Sequence, residues 1–161
     1  MAHEPRLTRA LRELLAAQRV AALGTVDEDG TPFVSMVPFV VDGQDRSLVI
    51  HISGLAAHTR NLQRRPRASL MICQAEVAGE PVHALPRVTL DIDAADAVAG
   101  ADAQACRAAY LARFPEAEPM TALGDFRFVR LRPLGARQVA GFGAARSVDA
   151  AELLQALGSA T

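Results

Sequence analysis

The sequence predicts a mainly β protein, an antiparallel sheet of about six or seven strands curled into a barrel with helices at its flanks. Three observations predict it. Short runs rich in Val, Ile and Phe follow one another from Arg19 to Cys73. Turn signals separate them, Asp27-Glu28-Asp29-Gly30 and Asp42-Gly43-Gln44-Asp45. Strands joined by turns this tight cannot be parallel, because a parallel pair needs a long crossover.

The elements follow in order. Leu7, Leu11, Leu14, Leu15 and Gln18 recur at helical spacing, so residues 6 to 18 read as an amphipathic helix. Arg19 to Val26 reads as a strand, and Thr31 to Val41 as a second. Pro38 within the second cannot donate a ladder hydrogen bond, which marks an edge or a bulge. Ser47 to Ile52 is a third strand, Leu55 to Arg65 a short helix stopped by Pro66, and Arg67 to Cys73 a fourth strand. Glu76 to Pro86, with Gly79 and two prolines, reads as a loop. Arg87 to Ala95 alternates Val88, Leu90 and Ile92 with Thr89, Asp91 and Asp93, a half-exposed strand. Residues 101 to 114 form an alanine-rich helix ending near Pro115, and the last strands are Asp125 to Arg132 and Arg137 to Gly141. Asp149 and Glu152 make a capping box, with Val148 and Leu153 as its hydrophobic staple, for a closing helix that runs to about Leu157.

Composition narrows the function classes. A length of 161 residues suits one domain, 1–161, with a core that needs no staples. No apolar run approaches the roughly 20 residues that span a bilayer, and the N-terminus lacks a signal peptide's apolar stretch. The expectation is a soluble, cytoplasmic protein with no membrane partner. The net charge is −1, and the Arg60, Arg64, Arg65, Arg67 cluster has no interleaved aromatics, so nucleic acid is not expected. All 17 basic residues are arginine, which excludes a Schiff-base or P-loop lysine. Cys73 and Cys106 form no zinc spacing, and Cys73, in an apolar run, is expected to pack in the core.

The stretch richest in chemistry runs from Leu48 to Arg67. A strand passes through Ser53-Gly54 into a helix, and His58, Thr59 and Arg60 follow within about a turn. A helix N-terminus offers unpaired N–H groups and partial positive charge, so these residues suit a phosphate cradle. Equally, Ser53 reads as a plain N-cap and the arginines as a solvated face. His51, His58 and His83 match no zinc signature, and His83 lies in the loop. Gly141-Phe142-Gly143 starts like a dinucleotide fingerprint, but it follows a late strand and Arg146 stands at the third glycine position. No nucleophile elbow is present, and no catalytic acid or base is assigned.

Gly24-Thr25, Gly30 to Phe39 and Ala57-His58-Thr59-Arg60-Asn61-Leu62 resemble the pyridoxamine 5′-phosphate oxidase-like FMN-binding split β-barrel superfamily. Together with Gly124-Asp125-Phe126 and Gly141-Phe142-Gly143-Ala144-Ala145, they resemble above all its HugZ-type haem-utilisation branch. The resemblance spans roughly residues 10 to 148 and implies an antiparallel split β-barrel and a homodimer with the cofactor site at its interface. It implies that Ser35, Met36, Val37 and Pro38 run along the isoalloxazine and ribityl chain of FMN. His51, Ile52 and Ser53 would contact the ribityl-phosphate end. His58, Thr59 and Arg60 would bind the phosphate, with Asn61 orienting that loop. Arg87 and Phe142 would reach the cofactor from the partner chain. Two departures stand out. Ala144 occupies a place where the branch often has arginine, and the branch commonly carries a further C-terminal domain where this sequence closes with one short helix. A haem ligand supplied by such a domain would be missing.

Three functions follow from the resemblance. The first is an FMN-dependent oxidoreductase acting on a small-molecule substrate. The second is a haem-binding or haem-degrading protein of the HugZ type. The third is a non-enzymatic split-barrel binding module with a lost flavin site.

Overall fold

A computed structural model describes residues 3–158. Helix α1 (Arg6–Ala17) leads into β1 (Val20–Val26), β2 (Pro32–Pro38), β3 (Val40–Asp42) and β4 (Ser47–Ser53). Helix α2 (Ala57–Arg64), β5 (Arg67–Cys73) and β6 (Arg87–Ala97) follow. Then come α3 (Gly100–Arg113), the single turn α4 (Glu118–Thr121), β7 (Phe126–Val139), β8 (Ala145–Asp149) and α5 (Ala150–Leu157).

All strand pairings are antiparallel, in the order β2-β1-β5-β6-β7-β4-β3, with β8 paired to β7. The two outermost strands of that order, β2 and β3, are consecutive in the chain. The run Thr31 to Val41, read as one strand, breaks at Phe39, whose N–H turns back to the Arg19 carbonyl at 3.1 Å. The covalent chain therefore closes the sheet on itself, and Pro38 sits at the break, where no ladder bond is asked of it.

Strand β7 splits the barrel. One edge pairs with β6 along its length. The other edge pairs with β4 from Phe126 to Leu131 and with β8 from Gly135 to Val139. The sequence reading ended a strand at Arg132 and began another at Arg137. The strand in fact runs on through Pro133, because a bulge between Asp91 and Ile92 leaves Leu134 without a partner across the ladder. Strand β8 was not anticipated; Ala145-Arg146-Ser147 carries too little apolar alternation to signal it.

The barrel core gathers Leu23 from β1, Val37 from β2, Leu48, Ile50 and Ile52 from β4, Leu70 and Ile72 from β5, and Leu90 from β6. Leu11 and Leu15 of α1 and Leu153 and Leu157 of α5 close one side of it. Asp149 caps α5, accepting from the Glu152 N–H at 2.9 Å, and Val148 and Leu153 are both buried, as the capping box and staple require. A second cluster lies on the other face of β4, where Val49 packs with Phe128, Cys106, Tyr110 and Phe114 under α3. That helix is held down by Arg130, fully enclosed, which bonds Asp102 at 2.6 Å, Asp42 at 2.9 Å and Ser47 at 3.0 Å. Strand β4 is thus buried on both faces, which explains why Leu48, Val49 and Ile50 are apolar without alternation.

The expectation for Cys73 is corrected. It lies half-buried on the outer face of β5, and Cys106 is the enclosed thiol, its pKa pushed up to about 11 by burial. No described helix is long and apolar enough to cross a membrane.

Candidate functional site

The site is organised by how α2 docks. Leu62 enters the barrel core, and two hydrogen bonds pin the helix to the inner faces of β1 and β2. Asn61 Nδ2 donates to Thr25 Oγ1 at 3.0 Å, and Ser35 Oγ lies 3.0 Å from His58 Nδ1. Thr59 Oγ1 donates to the Ser53 carbonyl, tying α2 back to the end of β4. Arg60 faces solvent, donating from Nη1 to the Leu55 carbonyl at 2.8 Å. His58, Thr59 and Arg60 therefore point in three directions, towards β2, Ser53 and solvent. Burial holds the His58 pKa below its usual value, so the ring is neutral near pH 7.

Ser53 is not the N-cap of α2. That place belongs to Ala56, and no side chain caps the helix, so its first-turn N–H groups stay open. The Ser53 hydroxyl accepts from the Leu55 N–H and donates to Asp125 Oδ2, both at 3.1 Å. Gly54 donates its N–H to the Asp125 carbonyl, and a Cβ there would lie 3.0 Å from that oxygen and 3.1 Å from Arg127 Nη2. A larger residue would push the junction away from β7 by a few tenths of an ångström. Asp125 is thus part of the site, and sequence reading gave it no role. Its signal was the Gly124-Asp125-Phe126 motif, but a loop carboxylate has no periodicity to say what it faces.

Strand alternation distributes the other expected residues. Met36 is 65% exposed on the outer face of β2, while Val37 is buried in the core and Ser35 turns inward to His58. Pro38 lies opposite Val20 at the end of the ladder. Ile52 is in the barrel core, and His51 points the opposite way, beneath α3. Only 6% exposed, His51 packs against the rings of Phe128, Phe126 and Tyr110 at 4.4, 5.1 and 5.7 Å. Its Nδ1 is enclosed without a partner, and burial holds its pKa down. Of His51, Ile52 and Ser53, Ser53 alone brings its side chain to the junction.

Arg87 and Phe142 lie apart from α2. Arg87 starts β6 opposite Cys73 and donates to the Leu85 carbonyl at 2.9 Å, fixing the loop before the strand. Phe142 is 90% exposed at the tip of the β7–β8 hairpin, between Gly141 and Gly143, whose φ angles of 124° and 77° suit glycine. His83 is exposed, and the described residues contain no cluster of three His, Cys, Asp or Glu that would hold a metal.

Comparisons with known proteins place the chain in a family. Residues 7–140 match the family described as pyridoxamine 5′-phosphate oxidase. The chain is 32% identical over 151 residues to haem oxygenase HutZ of Vibrio cholerae, across 92% of this chain and 85% of that protein. It is 36% identical over 151 residues to the chloroplastic non-canonical haem oxygenase HOZ of Arabidopsis thaliana, covering 89% of this chain and 45% of that one. A solved haem-binding protein from Mycobacterium smegmatis superposes with a TM-score of 0.84 at 30% identity, over 96% of this chain and 62% of its own. The chain therefore spans less than two thirds of the Mycobacterium structure and under half of the Arabidopsis relative. By its matched residues, its split barrel and these relatives, the chain belongs to the pyridoxamine 5′-phosphate oxidase family, in its HugZ-type branch.

Proposed function

We propose that this protein binds haem, between two copies of the chain, and acts in haem breakdown. The observation that carries the reading is the likeness to haem oxygenase HutZ over 92% of the chain. The relatives favour haem over FMN. At the β4–α2 junction the Ser53 hydroxyl is given to the Asp125 carboxylate. Arg60 and the open N–H groups of α2 can take an anionic group, a haem carboxylate included, and a neutral imidazole such as that of His58 can take the iron.

The outer face of β2, β1 and β5 supports the pairing of two copies. Val34, Met36, Val20 and Met71 stand exposed there around Ala22, in one apolar surface. Such a surface marks an interaction site. A two-fold pairing across it would bury both copies at once, and the family resemblance has Phe142 and Arg87 of one chain serving the site of the other. The bound haem would supply the redox-active iron. The chain's own residues would bind the macrocycle, orient it and exclude water.

The test is a haem titration of the purified protein and of His58→Ala, read at the Soret band. A saturable shift in the wild type, weakened at least tenfold in the variant, is expected. No Soret change in the wild type would overturn the reading.

A further inference from the structure

A histidine that holds a metal through one ring nitrogen almost always gives its other N–H to a fixed acceptor, which settles the tautomer and the direction of the ring. Among the described residues, His58 alone has a ring nitrogen hydrogen-bonded to a side chain, with Nδ1 3.0 Å from Ser35 Oγ. The His51 ring is buried among Phe126, Phe128 and Tyr110 with Nδ1 unpartnered, and His83 is exposed in its loop. Nε2 of His58 is neither bonded nor enclosed among the described residues.

The Ser35–His58 contact is fixed from both sides. Ser35 lies opposite Leu23 in the β1–β2 ladder. Thr25 Oγ1 accepts from Asn61 Nδ2 at 3.0 Å and donates to the Phe33 carbonyl at 3.4 Å, so α2 is tied to β2 two residues before Ser35. Thr59 bonds the Ser53 carbonyl and Leu62 enters the core, which together set the rotation of the helix. His58, in the first turn of α2, therefore meets Ser35 with little freedom in either backbone.

A serine hydroxyl can donate or accept. While Nε2 carries the ring proton, Ser35 donates to Nδ1. Once Nε2 gives its lone pair to a metal, the proton must sit on Nδ1, and Ser35 Oγ is the acceptor in place for it.

We propose that Ser35 is the positioning residue of His58: its hydroxyl accepts from Nδ1–H and so presents the Nε2 lone pair to the haem iron. This role rests on the reading that haem occupies the site. Burial keeps the ring neutral near pH 7, the form that can ligate.

The test compares Ser35→Ala, which removes the acceptor, with Ser35→Thr, which keeps a hydroxyl on a residue type that suits a strand. Haem is titrated at the Soret band, and resonance Raman reads the iron–imidazole stretch of the ferrous complex. Ser35→Ala is expected to weaken haem binding about 10- to 100-fold and to lower the stretching frequency, while Ser35→Thr restores both. His58→Ala should lose the wild-type stretching band. Wild-type affinity in Ser35→Ala overturns the inference. So does weaker binding with the band unmoved, which is the mark of a merely structural role. Persistence of the band in His58→Ala overturns it as well, since another group then holds the iron. No Soret change in the wild type defeats the haem reading itself, whereas binding by the wild type with any of these three outcomes defeats the role of Ser35 alone.

Discussion

The two faces of the β2-β1-β5 sheet are made from the same strands and have opposite fates. Inward, Leu23, Val37, Leu70 and Ile72 are sealed in the barrel. Outward, Val34, Met36 and Met71 remain in water, although they are as apolar. A strand with one buried face alternates apolar with polar residues. Strands β1 and β2 place Val20, Val34 and Met36 where such an alternation would put polar residues, which is what supports the proposed pairing of two copies across this face. Strand β4 is buried on both faces within the chain, by the barrel and by α3.

The largest effect is expected from breaking the inner face. Leu23→Ala should cost about 2–5 kcal/mol of unfolding free energy, measured by denaturant titration, since it leaves a cavity in a closed core. The junction where the barrel hands over to α2 comes next. Gly54→Ala should cost about 1–3 kcal/mol, because its methyl group meets the Asp125 carbonyl. It should weaken haem binding as well, by shifting the Ser53–Asp125 contact.

The face of β4 towards α3 gives a pH effect. Burial holds His51 and His58 below the ordinary imidazole value of 6.5 in the folded chain. As pH falls past that value, the unfolded chain takes up protons first, so stability is complete above it and is lost towards the lower folded-state values. Thermal midpoints should therefore drop between pH 8 and pH 5.5, and His51→Leu should flatten that drop.

The outer face should behave differently from all of these. Met36→Asp is expected to weaken self-association by at least about tenfold in sedimentation while changing the monomer's stability by less than about 0.5 kcal/mol. If it unfolds the chain instead, the two faces are not independent. The smallest effect belongs to the exposed Arg64–Glu28 pair, where Glu28→Gln should change stability by less than about 0.5 kcal/mol.

The sequence was most legible where structure is local. The β1–β2 hairpin, the α2 stop at Pro66 and the α5 capping box all rest on signals a few residues long. The closure of the barrel was not legible, because the break at Phe39 depends on which distant strands flank the two halves of one apolar run. Strand β7 was cut in two for a related reason. Pro133 ends a strand by local rules, and only the bulge on β6 lets it continue. At the site, the resemblance pointed to α2 and its flanks, but the direction of each side chain was out of reach. Ser53, His58, Thr59 and Arg60 are neighbours in the chain, and their partners, Asp125 and Ser35 among them, come from other strands. Period-2 alternation does set one direction, placing His51 and Ile52 on opposite faces of β4.

The central claim is that haem, in preference to FMN, occupies this protein. The most direct measurement is an absorption spectrum after incubation with equimolar haemin and FMN, followed by desalting. A retained Soret band without the two flavin bands is the predicted result. A retained two-banded flavin spectrum with no Soret band would contradict the account and return the site to flavin chemistry.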